Sequence, residues 1–165
     1  MRITNAHKNS ILSPAYLLGA FALIIYEMLS TAFIYMPPLM GVFFTYLIIS
    51  KSDAQRSLSG LAGRWYLAFG FLIFAEQLHG YEFLSCVIAF IVFYYMVHDW
   101  LIINIKSRFF MIVIFNASAY LGVLLASNLF LYVLNENLLR YSSIYLYYIA
   151  IESVISFLVF KEARL

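Results

Sequence analysis

The sequence predicts an all-α protein that crosses a membrane several times. Hydrophobic residues make up 65% of its 165 residues and charged residues only 11%, whereas soluble domains carry about 25% charged residues. The mean hydropathy is +0.91, and the apolar residues form long runs that are separated by short polar stretches. We therefore predict a single integral membrane domain over residues 1–165, with no room for a soluble catalytic or nucleotide-binding domain.

Six apolar runs predict the helices of this domain. Most are long enough to cross a hydrocarbon core of about 30 Å. Pro37 and Pro38 separate the first two runs, because proline lacks the amide hydrogen of a helix interior but is tolerated at a helix start. A polar linker at 51–64 and a tight turn at 79–82 flank the third. The predicted spans are about 13–35, 38–53, 61–78, 83–97, 109–134 and 141–160.

The segment 98–108 has a different pattern. Trp100 and several isoleucines alternate with Asp99, Lys106 and Arg108, which is typical of an amphipathic interfacial helix. We expect it either to lie along the membrane surface or to extend the fourth helix.

The basic residues indicate an orientation, because cytoplasmic loops carry an excess of Lys and Arg. With both termini in the cytoplasm, only Arg140 among the Lys and Arg residues falls outside. Tyr and Trp side chains lie near both predicted interfaces, as in aromatic belts. The residues that fall inside are Arg2, Lys8, Lys51, Arg56, Arg64, Lys106, Arg108, Lys161 and Arg164.

Three glutamates, Glu27, Glu76 and Glu152, lie within the apolar runs of three different helices. An acid in hydrocarbon costs several kcal/mol unless it faces protein, so a functional or packing role is expected. If the carboxylates converge, they can relay protons or bind a cation. Otherwise they form interhelical hydrogen bonds or contact a partner. The polar side chains available within the membrane are Asn116, Asn128, Gln77 and Thr45.

Small residues recur every four positions on two of the predicted helices. Ser118, Gly122 and Ala126 form such a stripe on the fifth helix, and Ala15 and Gly19 do so on the first. A stripe of this kind lets another helix backbone approach closely. Packing inside the bundle and contact with an external helix both remain open.

Motifs for enzyme chemistry are weak. His79 beside Glu76 and Glu82 has the residue types of zinc ligands, but it is one histidine without an HExxH pattern. The only cysteine, Cys86, lies in no nucleophile motif, and no phosphate-binding loop is present. The basic residues are dispersed, so nucleic-acid binding is not expected. We therefore expect neither catalytic residues nor a cofactor or metal site.

The order of these features resembles the MreD family of rod shape-determining membrane proteins. In that family a proline closes the first loop and precedes an apolar helix that contains an aromatic residue; here Pro37 leads to Tyr46. The family then shows a glycine-led apolar helix that ends in an acid and a short polar turn. Gly70, Glu76 and Gly80, in the stretch GFLIFAEQLHG, occupy the matching places.

The match covers most of the chain as a hydropathy pattern and extends to single residues from Pro37 to Val97. The chain departs from the family at three positions. Glu76 stands where aspartate is usual, His79 where serine is common, and Leu84 where a second glycine is often found.

The resemblance implies a non-enzymatic scaffold of the cell-wall elongation machinery, which maintains rod shape from the bacterial cytoplasmic (inner) membrane. It implies binding to the membrane helix of an MreC-like bitopic protein. Through that protein, cytoplasmic MreB filaments would be connected to the RodA polymerase and its penicillin-binding transpeptidase in peptidoglycan synthesis. The candidate partner or packing residues are Glu76, Gly80, Glu27, Glu152, Pro37, Gly70, Ser118, Gly122 and Ala126.

The fold that the resemblance implies is a six-helix bundle similar to the substrate-binding subunits of energy-coupling-factor vitamin transporters. An alternative function therefore stays open, in which the chain is the small-molecule-binding membrane subunit of a transporter. Three membrane acids and the tyrosine-rich outer helix ends would then form its pocket.

Overall fold

The computed structural model describes residues 14–58 and 60–161, without the side chains of residues 14–17. The described residues form helices and turns and contain no strand, so the all-α prediction is confirmed. Several predicted features lie outside the described part: the start of the first helix at residue 13, the side chain of Ala15, and the basic residues Arg2, Lys8 and Arg164.

Seven α-helices and one π-helical turn follow one another along the described chain. The π-helical turn Phe93–Val97 joins α4 to α5, so that Ser85–Asn104 forms one continuous helix. The α-helices are α1 Pro14–Ala32, α2 Met40–Arg56, α3 Gly63–Leu78, α4 Ser85–Val92, α5 His98–Asn104, α6 Arg108–Val133 and α7 Ile144–Val159.

Several helix boundaries differ from the sequence-based prediction, and the two largest differences involve polar segments. Helix α2 continues to Arg56 rather than to 53, because the polar residues of the predicted linker still form helical hydrogen bonds. The linker therefore shrinks to 57–62. The amphipathic segment at 98–108 extends the fourth helix as α5, and the chain turns only at Ile105.

Helix α6 forms the centre of the bundle and packs against α2, α4 and α7. Helix α2 lies beside it and also contacts α3 and α7, whereas α1 contacts α3 at the edge of the bundle. Between these helices lies a core of buried apolar side chains that includes Phe44, Leu72, Phe115 and Val123.

The turns lie at two ends of the bundle, and tertiary hydrogen bonds mark each end. At the first, here called the Pro37 end, Tyr26 donates to the Pro37 carbonyl and Tyr148 donates to the Ile34 carbonyl. At the opposite Lys51 end, Lys51 Nζ lies 3.3 Å from the hydroxyl of Tyr95. Turns 33–39, 79–84 and 134–143 belong to the Pro37 end, and turns 57–62 and 105–107 to the Lys51 end.

Two of the described helices are long and apolar enough to cross a membrane: Ser85–Asn104 and Arg108–Val133. Two others, Leu18–Ala32 and Ile144–Val159, are apolar but shorter. Length and composition therefore support a membrane protein but not the predicted count of six spans. Helix α2 has 17 residues, and its last two turns contain Lys51, Asp53 and Arg56, so it is both shorter and more polar than the two long helices.

Candidate functional site: buried glutamates and an apolar groove

Glu152 on α7 binds the start of α2. Its side chain is fully buried, and its Oε2 atom accepts hydrogen bonds from the backbone N–H of Gly41 (2.7 Å) and of Val42 (3.1 Å). The hydroxyl of Tyr120 on α6 donates to the other oxygen, Oε1. The first N–H groups of a helix have no partner within the helix, so Glu152 supplies an acceptor that α2 lacks.

Gly41 makes room for this arrangement. A Cβ atom at Gly41 would lie 2.2 Å from Asn116 Oδ1 and 2.8 Å from Glu152 Oε2, closer than atoms can approach. Asn116 is itself fully buried, and its Nδ2 atom donates to the Ile112 carbonyl (2.9 Å). The absence of a side chain at Gly41 therefore lets α2, α6 and α7 meet around one carboxyl group.

Glu76 on α3 binds the start of α4 in the same way. It is fully buried; Oε1 accepts a hydrogen bond from the N–H of Ser85 (2.8 Å) and Oε2 from the N–H of Cys86 (3.0 Å). Gly80, in the turn between these helices, has a φ of +73°, which glycine adopts without strain. The stretch Gly70–Gly80 thus contains both the acid that binds α4 and the turn that leads to it.

The two helix starts share a backbone geometry. Leu39 before α2 and Leu84 before α4 are both left-handed, with φ of 54° and 68°. A leucine side chain cannot cap a helix, so the acceptor comes from Glu152 or Glu76 on another helix. Because the N-terminus of a helix carries partial positive charge, it also favours a carboxylate there.

Glu27 has a different environment. Its Oε1 atom lies 3.1 Å from Nε2 of His79, the residue that follows α3, and Ser30 Oγ lies 3.2 Å from the same nitrogen. Glu27 is fully buried, and its Oε2 atom has no hydrogen-bond partner among the described residues. This contact ties the end of α1 to the end of α3.

The three acids are thus divided between separate tasks. Glu152 binds the start of α2 and Glu76 the start of α4, whereas Glu27 contacts His79. His79 contacts Glu27 rather than the Glu76 and Glu82 beside which the sequence places it. Within the described ranges, no three His, Cys, Asp or Glu side chains are grouped so that they could hold a metal ion.

The polar side chains that the sequence offered as partners for these acids mostly bind elsewhere. Asn128 exchanges hydrogen bonds with the backbone of Leu139, and Gln77 donates to the Tyr81 carbonyl. Asn116 Nδ2 lies 3.4 Å from the hydroxyl of Thr45. The glutamates find backbone N–H groups, a histidine and a tyrosine instead.

The small residues of α6 lie inside the bundle. A Cβ at Gly122 would approach the Cβ of Ala89 on α4 to 3.0 Å, and Ala126 is buried while Ser118 is half-buried. Gly122 therefore lies at the close approach of α6 to α4. Pro37 is also buried, and its carbonyl accepts the hydrogen bond from Tyr26.

Gly70 and Gly19 lie in a third setting, an apolar groove between α1 and α3 of about 1010 Å³, here called the α1–α3 groove. Phe43 and Tyr46 of α2 line it as well. A Cβ at either glycine would meet no atom of the described residues within 4 Å. These two glycines therefore face open space, unlike Gly41 and Gly122.

A polar cluster at the Lys51 end has no counterpart in the sequence-based analysis. Lys51 Nζ lies 4.0 Å from the ring centroid of Tyr94 and 4.6 Å from that of Tyr95, both in the π-helical turn. Buried His98 lies 2.8 Å from Ser52 Oγ. The run FYYMV gives no periodic signal for a π-turn, so only the structure reveals this contact between α2 and the π-helical turn.

No family model, no curated protein and no solved structure matches the chain.

Proposed function

We propose that this chain is a six-span, non-enzymatic scaffold of the bacterial cell-wall elongation machinery. It would hold its partners in the cytoplasmic membrane, with both termini in the cytoplasm. Its partner would be an MreC-like bitopic protein, through which MreB filaments, RodA and a penicillin-binding transpeptidase are connected. The chain itself carries out no reaction and needs no cofactor.

The observation that carries this proposal is the role of Glu76. In the resemblance to MreD, Glu76 stands at the acid of the glycine-led helix, where aspartate is usual. In the fold it accepts hydrogen bonds from the N–H groups of Ser85 and Cys86 at the start of α4. Glu152 does the same for α2. Acids that bind backbone groups across helices fix the relative positions of these helices, which suits a protein that positions other proteins.

The exterior of the bundle also supports a scaffold. Large apolar side chains are exposed along α1, α6 and α7, and such surfaces in water would be unusual for a monomeric protein. In a membrane they face lipid or partner helices. Leu18, Phe21, Leu125, Leu129, Leu146 and Leu158 are examples that are at least 60% exposed.

The test is a pulldown of the tagged chain from its native membrane in mild detergent, with the recovered proteins identified by mass spectrometry. We expect a bitopic scaffold protein together with wall-synthesis enzymes. Glu76→Ala should reduce their recovery, and Glu136→Ala, which changes an exposed loop acid, should not. Normal recovery with Glu76→Ala and normal cell shape would contradict the role given to Glu76.

One observation favours the alternative of a transporter's binding subunit. The Oε2 atom of Glu27 is buried without a partner among the described residues. The neighbouring Tyr26 binds the Pro37 carbonyl, so this carboxyl group lies at the tyrosine-rich Pro37 end. A cationic small molecule would suit such a carboxylate. Recovery of ATPase subunits or of a bound metabolite in the same pulldown would establish this alternative and refute the scaffold.

A further inference from the structure

We infer that the α1–α3 groove binds one phospholipid, with the phosphate against Arg64 and an acyl chain along Gly70 and Gly19. The inference rests on the proposed membrane embedding of the chain. It does not depend on which proteins the chain binds. It gives the α1–α3 groove a ligand of definite chemistry, a diacyl lipid with an anionic phosphate at the cytoplasmic side.

The length of the α1–α3 groove fits one leaflet of a bilayer. Along α3 its lining extends from Arg64 to Phe74, and ten residues of helix rise about 15 Å. The hydrocarbon core is about 30 Å thick, so the groove covers about half of it. A membrane-spanning partner helix would need a groove through both leaflets, whereas an acyl chain occupies one.

The lining of the groove is apolar except at defined places. Among the described residues that line it, Arg64 is the only charged one, and Tyr46 and Tyr66 are the only others with a polar side-chain atom. Arg64 lies in the first turn of α3, at the Lys51 end, which the basic residues assign to the cytoplasmic side. The charge therefore lies where a lipid phosphate would lie, and the apolar lining continues from there into the leaflet.

Arginine is well suited to this contact, because its planar guanidinium binds phosphate oxygens with two parallel hydrogen bonds. Arg64 also interacts within the protein. The guanidinium has enough N–H donors to keep that contact and bind a phosphate at the same time. Charge complementarity thus favours an anionic phospholipid.

The two glycines keep the groove deep. Glycine inside a helix is less favourable than alanine. Neither Gly19 nor Gly70 is needed for packing, since an added Cβ would meet no described atom within 4 Å. They lie on opposite walls, on α1 and α3. A larger side chain at either position would occupy the volume that we assign to the acyl chain.

The test uses the full chain, purified in mild detergent and examined by native mass spectrometry with added phosphatidylglycerol or phosphatidylcholine. We expect about one retained phospholipid and a preference for phosphatidylglycerol. Arg64→Gln should reduce that preference by about tenfold, as the loss of one charge-assisted contact predicts. Gly70→Leu should abolish retention of the lipid.

Matched controls separate this site from lipid around the whole protein. Lys106→Gln removes another exposed charge at the Lys51 end, and Leu125→Phe enlarges an exposed side chain on α6; neither should change retention. If Gly70→Leu fails to fold, Gly19→Leu tests the opposite wall.

Equal retention by wild type, Gly70→Leu and Gly19→Leu would overturn the inference, since the lipid would then be adventitious. If Gly70→Leu or Gly19→Leu lost a copurifying protein but retained as much lipid as wild type, the inference would also be overturned, because the groove would then bind a partner helix. The pulldown of wild type tests the scaffold proposal separately, so the lipid inference and the scaffold proposal can fail independently of each other.

Discussion

Glu152 on α7 accepts a hydrogen bond of 2.7 Å from the backbone N–H of Gly41 on α2, across 111 positions of the chain. Neither residue alone makes this contact possible. Glu152 supplies the acceptor, and Gly41 supplies the space, because a side chain there would collide with both Glu152 and Asn116. The contact joins two helices at the centre of the bundle.

Gly41→Ala should destabilise the fold, because its Cβ would lie 2.2 Å from Asn116 Oδ1 and 2.8 Å from Glu152 Oε2. Overpacking of this kind costs about 1–3 kcal/mol. Gly19→Ala is the matched control: its Cβ meets no described atom within 4 Å, and alanine favours helix over glycine by about 1 kcal/mol. The free energies of unfolding of the two variants, measured in detergent without added phospholipid so that the α1–α3 groove does not contribute, should therefore shift in opposite directions. A tolerated Gly41→Ala would contradict the close packing around Glu152.

Glu152→Ala should lower the free energy of unfolding by on the order of 3 kcal/mol, because it leaves the buried N–H of Gly41, the partly buried N–H of Val42 and the hydroxyl of Tyr120 without their acceptor. Glu152→Gln should cost less, since its amide oxygen can still accept from Gly41. Thermal unfolding of the purified variants, with Glu136→Ala as an exposed control, measures both changes. Equal losses for the alanine and glutamine variants would mean that charge, rather than the acceptor, matters.

Glu27 and His79 should be energetically coupled. Each single variant, Glu27→Ala or His79→Ala, removes the 3.1 Å contact, so the double variant should cost less than the sum of the two. Residues in direct contact show coupling energies of about 0.5–3 kcal/mol. A double-mutant cycle of unfolding free energies measures this term. Strictly additive losses would show that the contact contributes nothing to holding α1 against α3.

The proposed orientation predicts the accessibility of the turns from each side of the membrane. In a Cys86→Ser background, Glu136→Cys should react with a membrane-impermeant maleimide in intact cells. Lys106→Cys should react only after permeabilisation, because turn 105–107 would face the cytoplasm. The reverse pattern would invert the topology, and reaction of both in intact cells would contradict a membrane crossing by α6, which lies between the two turns.

The sequence was informative about which residues matter and less so about what they bind. Glu76 and Glu152 were recognisable because an acid in an apolar helix requires an explanation. Their partners are backbone N–H groups at helix starts, and every helix start has such groups, so no residue type marks them. Nothing in the sequence marks Gly41, because a glycine in an apolar run has the same sequence pattern whether it packs against a neighbour or faces open space.

The predicted helix boundaries differ from the observed ones for a related reason. Hydropathy does not separate a helix from an adjoining apolar turn. The run predicted at 13–35 therefore includes Phe33, Ile34 and Tyr35, which lie beyond the end of α1 at Ala32. At α2 the opposite occurs: the residues from Lys51 to Arg56 are mostly polar, so hydropathy predicts a linker where the helix continues. The exact residue at which a helix ends depends on tertiary contacts, such as the hydrogen bond from the Tyr148 hydroxyl to the Ile34 carbonyl.

The central claim, that buried glutamates hold the helix starts in place, is tested most directly at Cys86. It is the only cysteine in the chain, it is fully buried, and its N–H donates to Glu76 Oε2. In detergent, Glu76→Ala should increase the rate at which a small maleimide labels the Cys86 thiol by at least about tenfold. The variant lacks the acceptor for the first N–H groups of α4, so local opening of this helix costs less free energy. Glu136→Ala should leave the rate unchanged. An unchanged rate with Glu76→Ala, in a protein that is otherwise folded, would contradict the account.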